Sequence, residues 1–228
     1  MTNQPYPVMP PPAAALRPLK GLATAASVLL GLAAAADLFA LYAGTVMHNV
    51  SGDLLTASED RIDAADSLYS LAGNLQLLTI AATAVVFLIW FYRARCNAEV
   101  FAQDVCTRGR GWAIGAWFIP IGNLWLPAAV AREIWTASAQ TAPDGSWREV
   151  SRRPLNLWWG TWVGALVLAR IGMTMQSNAT TPQALQRAVD VTMAADALTF
   201  AAALLAIVFV RKLTAMQDPT ALPAPATI

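Results

Sequence analysis

Apolar residues in this chain gather in long runs and do not alternate with polar ones. Four runs, residues 21–47, 71–92, 155–175 and 191–210, carry at most one charge each. About 20 apolar residues are needed for a helix to cross roughly 30 Å of hydrocarbon. Each run therefore predicts a transmembrane helix. A fifth stretch, residues 112–130 within a half-inserted segment of about 112–137, is apolar but broken by Pro120, Gly122, Asn123 and Pro127. Proline removes a backbone donor and clashes with the preceding turn. Gly-Asn suits a turn, and a proline opens a helix well. The pattern predicts a short helix, a break and a second helix.

Flanking charge orients these segments, because cytosolic loops carry the excess of Lys and Arg. Arg17 and Lys20 precede the first run, and Arg211 and Lys212 follow the last. The loop 48–70 holds Asp53, Glu59, Asp60, Asp63 and Asp66 against Arg61 alone, which places it outside. Arg93, Arg95, Arg108 and Arg110 lie before the fifth stretch, and Arg132, Arg148, Arg152 and Arg153 lie at or after its end. Both its flanks thus read as cytosolic, so the stretch enters and leaves on one side. The expected fold is all-α: a polytopic membrane bundle over residues 21–213, with four transmembrane helices and a Pro-broken re-entrant or interfacial helical hairpin. Residues 1–20, with six prolines, and 214–228 read as extended tails. The expected location is the cell membrane, multi-pass, with both termini cytosolic.

Composition narrows the function. The 228 residues are 57% hydrophobic and 13% charged, about half the charge of a soluble domain. That excludes a soluble enzyme and a disordered chain. A net charge of +1 offers no basic field for nucleic acid. Cys96, Cys106 and His48 are the only cysteines and histidine. Their spacing makes no metal site, and His48 falls on the side of the bilayer opposite the thiols. No hydrolase, nucleotide or zinc motif occurs. The chain reads as non-enzymatic, without cofactor or metal.

Three ionisable residues interrupt the runs: Asp37, Arg170 and Asp196. A charge at a helix centre costs about 2.5–3.5 kcal/mol on the insertion scale, so such residues pair. At 1.5 Å per residue, all three fall roughly 21–24 Å from the inner ends of their helices. The matched depth predicts that Arg170 bridges Asp37 and Asp196. This cluster either locks helices together or opens a polar ligand or ion site. The broken segment, with Trp117, Pro120, Asn123, Trp125 and Pro127, is the second candidate site. It reads as an interfacial wedge or a substrate-binding loop. All nine tryptophans fall on the cytosolic side of this topology, and Trp prefers the headgroup level. Trp90, Arg93, Arg95, Asn97 and Trp135 thus mark a cytosolic interface.

Two stretches carry a resemblance. FLIWFYRARCNAEVF, residues 87–101, closes the second run, and GWAIGAWFIPIGNLWLPAAVAREIWTAS, residues 111–138, is the broken segment. Together they resemble an uncharacterised, mainly actinobacterial membrane-protein family, the domain of unknown function 4328, over roughly residues 21–212. The matching residues are Trp90, Arg93, Asn97, Trp117, Pro120, Asn123, Trp125, Pro127 and Trp135. The resemblance implies a bacterial integral membrane protein and supplies no mechanism. Two functional expectations follow from the residues. The first is binding of a protein partner or lipid at the cytosolic face, with membrane lipids, a protein partner or a second copy as partners. The second is a small-molecule or ion transporter or channel using the Asp-Arg-Asp cluster and the broken helix.

Overall fold

The structure, a computed structural model, describes residues 16–53, 56–139 and 150–218. Most of both expected tails, together with Trp147 and Arg148, lies outside the described residues. Regular structure among the described residues is helical throughout: α1 (Lys20–Gly52), α2 (Glu59–Phe101), α3 (Trp112–Gly115), a 3-10 turn (Gly122–Leu124), α4 (Leu126–Ser138), α5 (Arg153–Ser177) and α6 (Pro182–Met216).

Among the described residues, three helices, α1, α2 and α6, and not the expected four, are long and apolar enough to cross a membrane. The difference is α5. It has 25 residues, roughly 37 Å of helix, but Asn156, three tryptophans and Arg170 dilute its apolar character. The long helices also reach beyond the expected runs. The acidic stretch expected as a loop is largely helical, because α1 continues to Gly52 and α2 begins at Glu59. Glu59 and Asp60 occupy the first turn of α2, where carboxylates offset the helix dipole. Thr181 caps α6, its side chain accepting from the Ala184 amide at 3.2 Å, and Pro182 follows inside the first turn. The connection between α5 and α6 shrinks accordingly.

The long helices pack in a row: α1 between α2 and α6, and α6 between α1 and α5. Glycine allows the closest approach at two places. A Cβ on Gly172 would meet Thr192 Oγ1 at 2.6 Å and its backbone nitrogen at 3.3 Å, and one on Gly44 would meet Met193 Cγ at 2.6 Å. The GxxxG glycines Gly160 and Gly164 face no such crowding. At one end of the row, the start of α1 and the end of α6 meet, with Lys20 Nζ 2.7 Å from Asp218 Oδ2. The broken segment seats here, between α2 and α5. Residues 113, 116, 128, 131, 134 and 135 are buried against the helices around them.

An aromatic cluster joins these pieces. Trp117 meets Phe87 at 5.7 Å, Phe91 at 6.2 Å, Trp159 at 5.8 Å and Trp162 at 5.7 Å, each edge to face. Phe209 of α6 lies between Trp158 (4.6 Å, stacked) and Trp135 (5.9 Å, stacked). Such pairs add about 0.5–1.5 kcal/mol each beyond burial. The tryptophans expected as a headgroup belt are therefore largely core: Trp90 is 0% exposed and Trp135 1%. Only Trp112 and Trp125, at 41% and 55%, are plainly on the surface among those described.

Candidate functional site

The basic end of the bundle is a lattice of ion pairs. Arg95, in the last turns of α2, is 0% exposed. Its guanidinium donates to Glu99 Oε1 at 3.1 Å and to the Arg108 carbonyl. Glu99 also accepts from Arg110 Nε at 2.5 Å. Arg108 pairs with Glu133 of α4, and Thr107 donates to the same carboxylate at 2.7 Å. These bonds tie the segment before α3 to the end of α2. Asn97 clamps the approach to α1: its Nδ2 donates to the Arg17 carbonyl at 2.9 Å, and its Oδ1 accepts from the Arg17 amide at 2.8 Å. Gln217, just past α6, donates to the Ala94 carbonyl at 3.1 Å and to Ser138 Oγ at 2.7 Å. Both ends of the broken segment are thereby anchored at this one end.

The expected interface set is corrected by this geometry. Trp90, Arg95, Asn97 and Trp135 are buried in the bundle, and of the five only Arg93 reaches the surface. The physical reason is pairing: each of these side chains has an internal hydrogen-bond partner, as with Trp90 Nε1, which donates to Thr214 Oγ1 at 3.0 Å. The exposed basic residues here are Arg17, Lys20, Arg110, Arg132, Arg152, Arg153, Arg211 and Lys212. Cys96 and Cys106 are free. Burial pushes the Cys106 thiol up, against a smaller opposing pull from Arg95, which suits an unreactive thiol.

The broken segment turns at Ile121, whose φ is +62°. That is a strained conformation for a β-branched residue. Glycine at the next position leaves room for its neighbours, since a Cβ on Gly122 would lie 2.8 Å from Ile119 Cγ2 and 2.9 Å from Leu126 Cδ1 and force those side chains to shift. The Asn123 amide donates to the Ile119 carbonyl at 2.9 Å, and Pro127 opens α4. Trp159 Nε1 donates to the Leu124 carbonyl at 3.0 Å, fixing the turn against α5. Outside, Phe118 and Ile121 are each 71% exposed, and Ile114, Ile119 and Trp125 join them. The turn is therefore amphipathic in three dimensions, with Trp117 inward and a contiguous apolar surface outward. An Ile121→Gly change is expected to remove the strain and raise stability by about 1 kcal/mol. A chemical-denaturation or thermal-melting comparison checks it, and equal or lower stability would show that the Ile121 side chain contributes more than its backbone costs.

The intramembrane cluster is also corrected. Asp37 and Asp196 do come together, but Gln76 of α2 joins them instead of Arg170. Gln76 Nε2 lies 2.9 Å from Asp37 Oδ1 and 2.9 Å from Asp196 Oδ1. Arg170 is exposed on α5 against Met173 Sδ at 3.8 Å. It lines a surface groove of about 490 Å³ with Arg187, Thr174 and Asn178. Equal depth along a helix does not fix its rotation. The face of α5 that meets α6 carries Gly172 and Ala165, both buried, and Arg170 points elsewhere. Gln76 was missed because an amide carries no charge. The signal was its place, with Asn74, as a strongly polar side chain in a run that holds no charge.

Fold and site together define an all-helical protein with helices able to cross a membrane, stapled at one end by a broken helix and a lattice of ion pairs around the buried Arg95. A family model, Domain of unknown function (DUF4328), matches residues 53–215, more than half of the chain. The chain belongs to this family. The match leaves most of α1 outside, so it is narrower at the start than the resemblance over residues 21–212. No curated protein and no solved structure matches the chain.

Proposed function

We propose that this chain is a multi-pass protein of the cell membrane, with α5 as a fourth span, both termini cytosolic and the broken segment as a hairpin in the cytosolic leaflet. On this reading it is non-enzymatic and binds anionic lipid headgroups at its basic end. The observation that carries the reading is the outward face of the turn. Phe118, Ile121 and Trp125 are exposed on a segment whose two ends are held at the basic end. The turn contacts α5 near Trp159, about two helical turns from Arg153. An apolar turn seated that far along, roughly 9 Å in, suits the hydrocarbon just beneath the headgroups. Arg132, Arg152, Arg153 and Arg211, all exposed, then meet the phosphates. The engagement of Arg95, Arg108 and Arg110 with Glu99 and Glu133 supports the same division, because the lattice sets the hairpin and the remaining rim stays available.

Each basic residue near an anionic surface contributes about 1 kcal/mol, roughly fivefold in binding. The combined change Arg132→Gln, Arg152→Gln, Arg153→Gln and Arg211→Gln is expected to strip co-purifying anionic lipid by well over tenfold, read by native mass spectrometry. Retention of the same lipid, or equal retention of zwitterionic lipid by the unchanged protein, would end this reading. The second reading, transport, has lost its expected arginine bridge and is not adopted.

A further inference from the structure

Two carboxylates sit against one neutral amide inside the helix row. Asp37 Oδ1 and Asp196 Oδ1 each accept from the same Gln76 nitrogen at 2.9 Å, so they lie no more than twice that distance apart. Asp37 is 3% exposed, and its second oxygen, Oδ2, is buried with no hydrogen-bond partner. Among the described residues, neither carboxylate is in a salt bridge with a Lys, Arg or His. The groups facing the pair from neighbouring elements are polar but not cationic. They are Gln76 and Tyr69 on α2, the Tyr69 hydroxyl also reaching Thr192 of α6. His48 lies about three turns further along α1, 2.7 Å from Asp190. Arg170 on α5 faces away.

Two like charges this close, with Asp37 buried and Asp196 half-buried, cannot both ionise cheaply. Each would cost several kcal/mol at membrane depth, and the second would stand on an oxygen that nothing donates to. A neutral carboxyl forfeits only a modest hydrogen bond there. We infer that Asp37, Gln76 and Asp196 form a proton-binding site that holds one exchangeable proton between the two carboxyl groups at neutral pH. Gln76 presents one N–H to each, which suits an acid beside a carboxylate. The bound proton leaves one negative charge in the site where there would otherwise be two, and it holds α1, α2 and α6 together. On its loss the carboxylates repel across the same three helices. The proton therefore links the packing of the row to pH.

The test is infrared difference spectroscopy on the full-length protein in lipid nanodiscs, titrated from mildly acidic to alkaline pH. The expected result is a protonated-carboxyl C=O band present at neutral pH and lost on alkalinisation. It should be absent at neutral pH in Asp37→Asn and in Asp196→Asn, where one carboxyl remains without its rival. The titration of the unchanged protein needs no variant to fold. A spectrum with no such band at neutral pH overturns the proposal, and so does a band that both variants retain. Loss of the band on adding sodium at constant pH, to the same extent as alkalinisation, would make this a metal-cation site and also overturn it.

Discussion

Trp90→Ala is expected to destabilise the protein by about 3–5 kcal/mol, the usual cost of emptying a large aromatic site in a packed core. Trp90 is 0% exposed and joins α2 to α6. Its ring lies 5.3 Å from Phe87 and 5.9 Å from Phe209 of α6, and its Nε1 bonds Thr214 at 3.0 Å. The truncation opens a cavity and strands the Thr214 hydroxyl. Trp125→Ala is the matched control. That side chain is 55% exposed, so its loss should move stability by less than about 0.5 kcal/mol. Thermal unfolding followed by circular dichroism compares them. Equal shifts would show that the aromatic cluster does not organise this end.

Arg95→Ala should cost a similar amount for a different reason. Removing one partner of a buried ion pair typically costs about 3–5 kcal/mol, whereas replacing the pair by apolar side chains of similar volume is often neutral. Arg95 is 0% exposed and links Glu99 to the Arg108 carbonyl. Truncation leaves Glu99 with Arg110 alone and unties the segment before α3. The double change Arg95→Met with Glu99→Gln should recover most of the loss, since it removes both charges and keeps the volume. Denaturant unfolding distinguishes the two variants. If the double variant is as unstable as Arg95→Ala, the guanidinium acts through its bond to the Arg108 backbone and not through charge.

These outcomes bear on what the residues that carry the resemblance do in the fold. Trp90, Asn97, Trp117 and Trp135 all serve internal contacts: an indole bond to α6, a clamp on Arg17, an aromatic hub and a stack on Phe209. They build the seat for the broken segment. What that seat presents to its surroundings is the exposed turn and a rim of unburied arginines.

Apolar run length and the prolines determined much of this by themselves. Helix identity, the break near Pro120 and the glycine at 122 follow from local rules, because backbone donors and sterics act over a few residues. The meeting of Asp37 with Asp196 was legible too, since depth along a helix is a linear count. Helix rotation and pairing were decided only in three dimensions. Arg170 shares the depth of the two aspartates, yet the buried face of α5 belongs to Gly172 and Ala165, so the bridge passed to Gln76. Arginine and tryptophan are suited both to headgroups and to a stapled core. Partners beyond the local helical turns settled which: the Arg108 carbonyl for Arg95, Glu99 for Arg110, Glu133 for Arg108, Thr214 for Trp90 and Phe209 for Trp135. A polar or aromatic side chain takes the site where its hydrogen bonds and contacts are best met, and that choice depends on neighbours that sequence distance does not reveal.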